Sequence, residues 1–222
     1  MRVLVTGGSG VLGSASIPLL RDAGHEVEAP GRTELDLFDP EVVAGAVADM
    51  DAIAHLASRI PPPEQMNDPE AWRDNDRLRA AATPILVDAA LAASAEWFLF
   101  PSIAFFYPEN GEVDESTPAA EPVLEILRSA LEAERHVARF DRDGRRGVVL
   151  RLGVLYGPSI GKETPAEPWA SYGATLRIED AGTAIAAAAG APGGVYNVVG
   201  DGERVSNKRF KQVAHWRPEL TG

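Results

Sequence analysis

No cysteine occurs in the 222 residues. That excludes a disulfide framework, a thiolate nucleophile and a Cys-ligated metal. Histidine is scarce: His25, His55, His136 and His215 stand apart, and none sits at H-x-x-x-H spacing, which argues against a His-based zinc site. Lysine occurs only at Lys162, Lys208 and Lys211. With 33 acidic against 21 basic residues the formal net charge is −12. Phosphate neutralisation needs clustered cations, so no nucleic-acid partner is expected. Apolar runs long enough to cross a bilayer (~20 residues) are missing too, and so is a charged leader with a cleavage site. The expectation is a cytoplasmic chain with no membrane partner.

What is present is an alternation of strands and helices. Apolar strands are expected at Arg2–Thr6, His25–Ala29, Ala52–Ala57, Trp97–Ser102 and Gly147–Leu152. Helical spacing marks Gly10–Ala23, Glu41–Asp49, an alanine-rich helix over Arg77–Ala93, and residues 123–140. Further on, Ile178–Ala189 reads as a helix, Gly194–Val199 as a strand and Arg204–Ala214 as a helix, after a Pro- and Gly-rich stretch from Pro158 to Tyr172. The pattern predicts an α/β fold, a Rossmann-like, doubly wound parallel sheet with right-handed crossovers. The expected division is a core over 1–157 and a small C-terminal lobe over 158–222, packed on it as one unit.

The first strand runs into Gly7-Gly8-Ser9-Gly10-Val11-Leu12-Gly13. Glycines at 7, 10 and 13, between a strand and a helix, let backbone approach a pyrophosphate at the helix N-terminus. The competing reading is a tight turn with no ligand. The second strand ends Ala29-Pro30-Gly31-Arg32. Glycine stands where NAD enzymes place an acid for the ribose 2′-hydroxyl, and Arg32 suits a 2′-phosphate, so NADP is favoured over NAD. Asp36 and Leu37 follow at a spacing suited to the adenine.

Four motifs in order resemble the short-chain dehydrogenase/reductase superfamily in its NAD-dependent epimerase/dehydratase branch. Thr6–Gly13 is similar to T-G-G-x-G-x-x-G. Asp51–Ala57 resembles D-x-V-x-H-L-A, a strand whose end passes the cofactor, which brings in Leu56, Ala57 and Ser58. Arg151–Pro158 resembles R-x-x-x-x-Y-G-P, and Val195-Tyr196-Asn197 the Y-N strand. The resemblance implies that Ser102 binds the reacting oxygen and that a tyrosine, with a lysine four residues on, passes the proton. In the register set by Ser129, Ala133 and Glu134, those two positions hold Ile126 and Ala130. Losing a general acid costs about 10²–10⁴-fold in rate. Tyr107 and Tyr172 are the tyrosines outside the other motifs, and therefore the candidate proton sources beside Ser102.

Other residues read more plainly. Glu109, Glu112, Asp114 and Glu115 read as a solvated loop, the alternative being that one of them, its pKa raised by burial, acts as acid or base. His136 lies on a helix surface. Trp169 and Tyr172 line a substrate pocket or pack the loop after Pro158 down. That loop is short for a nucleotide-sugar pocket. The expected function is an atypical NADP(H)-binding protein of this type, acting on a small organic carbonyl or hydroxyl compound. The alternative is a non-redox protein on the same fold: a cofactor sensor, a structural pseudoenzyme, or a lyase or cyclase in which the dinucleotide is absent or only structural. A homodimer through the helices near 80–93 and 123–140 is compatible with their alanine-rich faces.

Overall fold

The computed structural model describes residues 1–65, 68–121, 123, 125–165 and 171–219. The chain runs β1 (Arg2–Thr6), α1 (Val11–Asp22), β2 (Glu26–Glu28), α2 (Pro40–Val47), β3 (Ala52–His55), α3 (Arg73–Arg77), α4 (Thr83–Ala92), β4 (Trp97–Ile103), α5 (Glu125–Phe140) and β5 (Arg146–Leu152). It continues β6 (Val154–Tyr156), β7 (Thr175–Arg177), α6 (Ile178–Ala188), β8 (Gly194–Val198) and α7 (Lys208–Val213).

Six strands form a parallel sheet in the order β2-β1-β3-β4-β5-β8. The order reverses between β1 and β3, which opens a crevice at their C-terminal ends, where such sheets bind ligands. Side chains alternate across the sheet. Val3, Val5, Trp97 and Leu99 face a core shared with α1 and α6. Leu4, Phe98 and Phe100 face the opposite core with Val43, Leu86 and Val137, from α2, α4 and α5. A third cluster gathers at the end of β4, where Ile103, Phe106 and Tyr107 meet Leu127 and Ala130 of α5.

Local signals explain the helix ends. Asp39 accepts from the amides of Glu41 and Val42, and Pro40 occupies the first helical position. The helix expected over Arg77–Ala93 is interrupted. It begins at Arg73, widens into one π turn over Leu78–Ala82 and resumes as α4. Pro84 is the reason: it has no amide for the Ala80 carbonyl, and its ring would strike that carbonyl in a regular helix. The turn relaxes by bonding the Thr83 amide back to Leu78.

The boundary expected at 157/158 does not follow the sheet. β8 is the edge strand of the main sheet, paired to β5 from Val148↔Gly194 to Leu152↔Val198. Ile178, Ala181, Ala184 and Ile185 of α6 belong to the same core as α1. Residues after 177 therefore complete the Rossmann layer rather than forming a lobe on it. The pair β6–β7 makes a separate two-stranded parallel sheet that the periodicity did not reveal, because three-residue strands carry almost no pattern. The last helix is shorter than Arg204–Ala214, because residues 204–207 precede α7 outside any helix.

Candidate functional site

The glycine loop is tight for a stated reason. Gly7 has φ +73°, and a Cβ there would stand 2.6 Å from the backbone of Ala57. A Cβ on Gly13 would stand 2.5 Å from the carbonyl oxygens of Gly7 and Gly8. Glycine at both positions lets β1 turn at once into α1, and keeps β3 close beside it. Gly8 also lies in this turn, with Leu12 half-buried behind it. Ser9, Gly10 and Val11 are exposed, and no side chain caps α1. First-turn amides of an uncapped helix are open to an anion. The loop therefore fits a dinucleotide pyrophosphate.

Thr6 locks the loop to β3. Its hydroxyl is 2.7 Å from Nδ1 of His55 and accepts from the Ala57 amide at 3.4 Å. His55 is 1% exposed, and burial pushes its pKa down to about 4, so it is neutral. Beyond it Leu56 is buried, Ala57 half-buried and Ser58 exposed, a graded opening toward the crevice. After β2, the Gly31 amide donates to Glu34 Oε2 at 2.6 Å, and Arg32 is exposed on the same turn. Asp36 accepts from the Phe38 amide, Leu37 is half-buried, and the Arg77 guanidinium stacks 3.7 Å above the Phe38 ring.

The candidate chemical residues share one polar network at the end of the sheet. In the sheet register Ser102 lies opposite Arg151, and Arg151 opposite Asn197. That row brings three polar side chains to the C-terminal edge. Ser102 donates to Glu134 Oε1 at 2.6 Å and is 2% exposed. Arg151 donates from Nε to Glu134 Oε1 at 3.1 Å and from Nη2 to Oε2 at 2.7 Å. Its Nη1 donates to the Tyr107 hydroxyl at 2.8 Å, and that hydroxyl donates to Asn197 Oδ1 at 2.7 Å. Glu115 accepts from the Asn197 amide at 2.8 Å, so the acidic loop is not wholly solvated.

These contacts define what each candidate hydroxyl faces. Ser102 is turned against Glu134. Tyr107 is 1% exposed; burial raises its pKa, and Arg151 opposes that rise. Tyr172 is half-buried and donates to the Tyr107 carbonyl at 2.6 Å. Burial raises its pKa as well. In this geometry each of the three hydroxyls donates to a protein acceptor. Sequence reasoning missed this because Glu134 and Arg151 appeared only as motif positions; a buried Arg and Glu facing a Ser and a Tyr was the available signal.

Helix α5, Glu125–Phe140, contains neither tyrosine nor lysine. Ile126 falls in its first turn, and Ala130 is fully buried. Trp169 lies outside the described residues. A groove of roughly 650 Å³ is lined by residues 112–117 together with Ser206, Lys208, Arg209 and Gln212, none of them in the glycine loop or α5. Among the described residues, no helix is long and apolar enough to cross a membrane.

Comparison with known proteins identifies the family and the fold. Residues 3–177 match the model of the NAD dependent epimerase/dehydratase family. The chain is 36% identical over 183 residues to a 3-diazoavenalumate denitrifying reductase of a Streptomyces species, covering 72% of this chain and 58% of that one. It is 30% identical over 176 residues to the human epimerase family protein SDR39U1, covering 72% and 57%. It thus spans less than three-fifths of the length of these relatives. In fold it is similar to UDP-N-acetylglucosamine 4-epimerase from Bacillus cereus, at TM-score 0.79 and 17% identity over 100% of this chain and 94% of that one. The likeness extends to the Thermus thermophilus UDP-glucose 4-epimerase complexed with NAD, at TM-score 0.72 and 22% identity over 100% and 86%. The chain belongs to the NAD-dependent epimerase/dehydratase family.

Proposed function

We propose that the protein binds NADP(H) and reduces a small organic electrophile by hydride transfer without a side-chain proton donor. The observation that carries this reading is the commitment of the Ser102, Tyr107 and Tyr172 hydroxyls to Glu134, Asn197 and a backbone carbonyl. The absence of a Tyr/Lys pair from α5 agrees with it.

The chain's residues would hold the dinucleotide as follows. First-turn amides of α1 receive the pyrophosphate. Arg32 pairs with the 2′-phosphate, and Asp36 and Leu37 border the adenine. Leu56, Ala57 and Ser58 flank the nicotinamide half. When bound, the cofactor supplies hydride.

Substrate choice follows from the proton balance. A ketone or aldehyde that takes up hydride becomes an alkoxide and needs a proton. A diazonium carbon that takes up hydride forms a C–H bond while its C–N bond breaks and neutral dinitrogen leaves. No oxyanion forms, so no acid is needed. The Streptomyces relative is named as a denitrifying reductase of a diazo compound, which supports this class.

Tryptophan fluorescence during titration with NADPH and NADH tests the reading. Tighter binding of NADPH is expected, and Arg32→Ala should remove the preference. NADPH consumption should follow addition of an aryl diazonium salt and not of an aldehyde. Failure to bind either nucleotide would instead favour a non-redox protein on this fold.

A further inference from the structure

One buried cation adjoins the network described above, where the Glu134 charge acts on it. Among the described residues Arg79 is the only arginine or lysine that is buried, at 7% exposed. Its Nη1 is enclosed and has no hydrogen-bond partner. A guanidinium carries five N–H donors, and a buried unmet donor is costly, so such groups call for a physical explanation.

Its location supplies one. Arg79 sits in the π turn forced by Pro84, and such turns recur at functional sites. On one side this segment leans on the end of β3. Asn75 accepts from the Arg59 amide at 2.9 Å, next to Ser58. The Leu78 carbonyl lies against the His55 ring. On the other side it meets α5. Asp76 accepts from Ser129 at 2.6 Å, and Asp76 and Glu134 are the charges that act on Arg79. Ala130 lies beside Ser129 and one turn before Glu134, on the face that turns toward Ser102. The segment that carries Arg79 therefore touches the chain after β3 on one side and the buried face of α5 on the other.

One more donor is unmet nearby: Nδ2 of Asn75 is buried without a partner, one helical turn from Arg79. Two unmet donors, Arg79 Nη1 and Asn75 Nδ2, thus lie on the α3–π segment.

We infer that Arg79 is a ligand-binding cation that takes the place of the lysine missing at Ala130: it donates from Nη1 to an oxygen of the nicotinamide half of the bound dinucleotide. The inference rests on the dinucleotide reading above. Positive charge reaches the site from the neighbouring helix instead of from α5. It holds the cofactor and does not serve as the proton donor.

The test compares two ligands on the intact protein: NADPH, and adenosine 2′,5′-bisphosphate, which lacks the nicotinamide half. Arg79→Met is expected to weaken NADPH binding about tenfold or more, as for loss of a charged hydrogen bond, and to leave the bisphosphate affinity unchanged. Arg79→Lys should recover part of the loss. If the Met variant does not fold, Arg79→Gln carries the same contrast. Unchanged NADPH binding, or equal loss for both ligands, overturns the inference while the dinucleotide reading stands. A wild-type protein that binds neither ligand overturns that reading and this inference with it.

Discussion

Glu134 and Arg151 are joined by two N–H···O bonds in a nearly dry setting, with 9% and 12% of their side chains exposed. Ser102 adds a third donor to the same carboxylate. The pair ties α5 to β5 and, through Tyr107 and Asn197, to β8. Buried pairs are worth little against apolar replacements of the same shape, but removing one partner strands a charge and costs about 3–5 kcal/mol. Glu134→Ala should therefore lower stability by about that much. Glu134→Leu combined with Arg151→Met should recover most of it. Urea unfolding midpoints of the single and double variants check this; additive losses would mean that the two residues act independently.

The glycine loop gives a graded steric prediction. At Gly13 an added Cβ meets two carbonyl oxygens at 2.5 Å, whereas at Gly10 it meets one at 3.1 Å. Backbone oxygens cannot swing away as a flexible side chain can. Gly13→Ala should abolish dinucleotide binding and cost about 1–3 kcal/mol of stability through overpacking. Gly10→Ala should weaken binding only modestly. Titration calorimetry with NADPH on both variants reads the order, and equal affinities would contradict it.

Much of this frame is legible in the chain. Glycines at 7, 10 and 13 announce themselves because the turn needs them at fixed offsets, and the apolar strands β1, β3, β4 and β5 stand out against polar punctuation. The row Ser102–Arg151–Asn197 does not, because it depends on inter-strand register that no local pattern encodes. A serine after the fourth strand looks the same whether its hydroxyl turns outward or, as here, toward Glu134. Arg79 was hidden for a similar reason. In an alanine-rich helix an arginine reads as a surface residue, and only the π turn at Pro84 together with packing on α5 buries it.

Tyr107 separates structure from chemistry. Its hydroxyl accepts from Arg151 and donates to Asn197, so Tyr107→Phe leaves both partners short in a buried place. The expected cost is about 1–3 kcal/mol of stability. Turnover with a diazonium substrate should change less than threefold, because no proton is asked of the phenol. Thermal unfolding and steady-state rates of the variant check both halves. A rate loss of about a hundredfold with little loss of stability would restore Tyr107 as the proton donor.

His55 makes the fold sensitive to acid in a defined window. Its ring, bonded to Thr6, is buried neutral with a pKa of about 4, against 6.5 for an unburied histidine. Between those values the unfolded chain binds a proton that the folded chain refuses, so stability falls as pH falls. The contribution is complete above about pH 6.5 and is lost progressively as pH drops toward 4. At about 1.4 kcal/mol per unit, this one group lowers stability by about 2 kcal/mol between pH 7 and pH 5. His55→Asn removes the titration, so the variant should lose less stability than the wild type over the same interval, by about that amount. Because Thr6 opens the glycine loop, NADPH affinity of the wild type should begin to fail in the same acid range as the strand pairing Thr6↔His55 gives way. Urea unfolding at both pH values, beside NADPH titrations, tests the linkage. Parallel pH profiles for wild type and His55→Asn would show that another group carries the acid sensitivity.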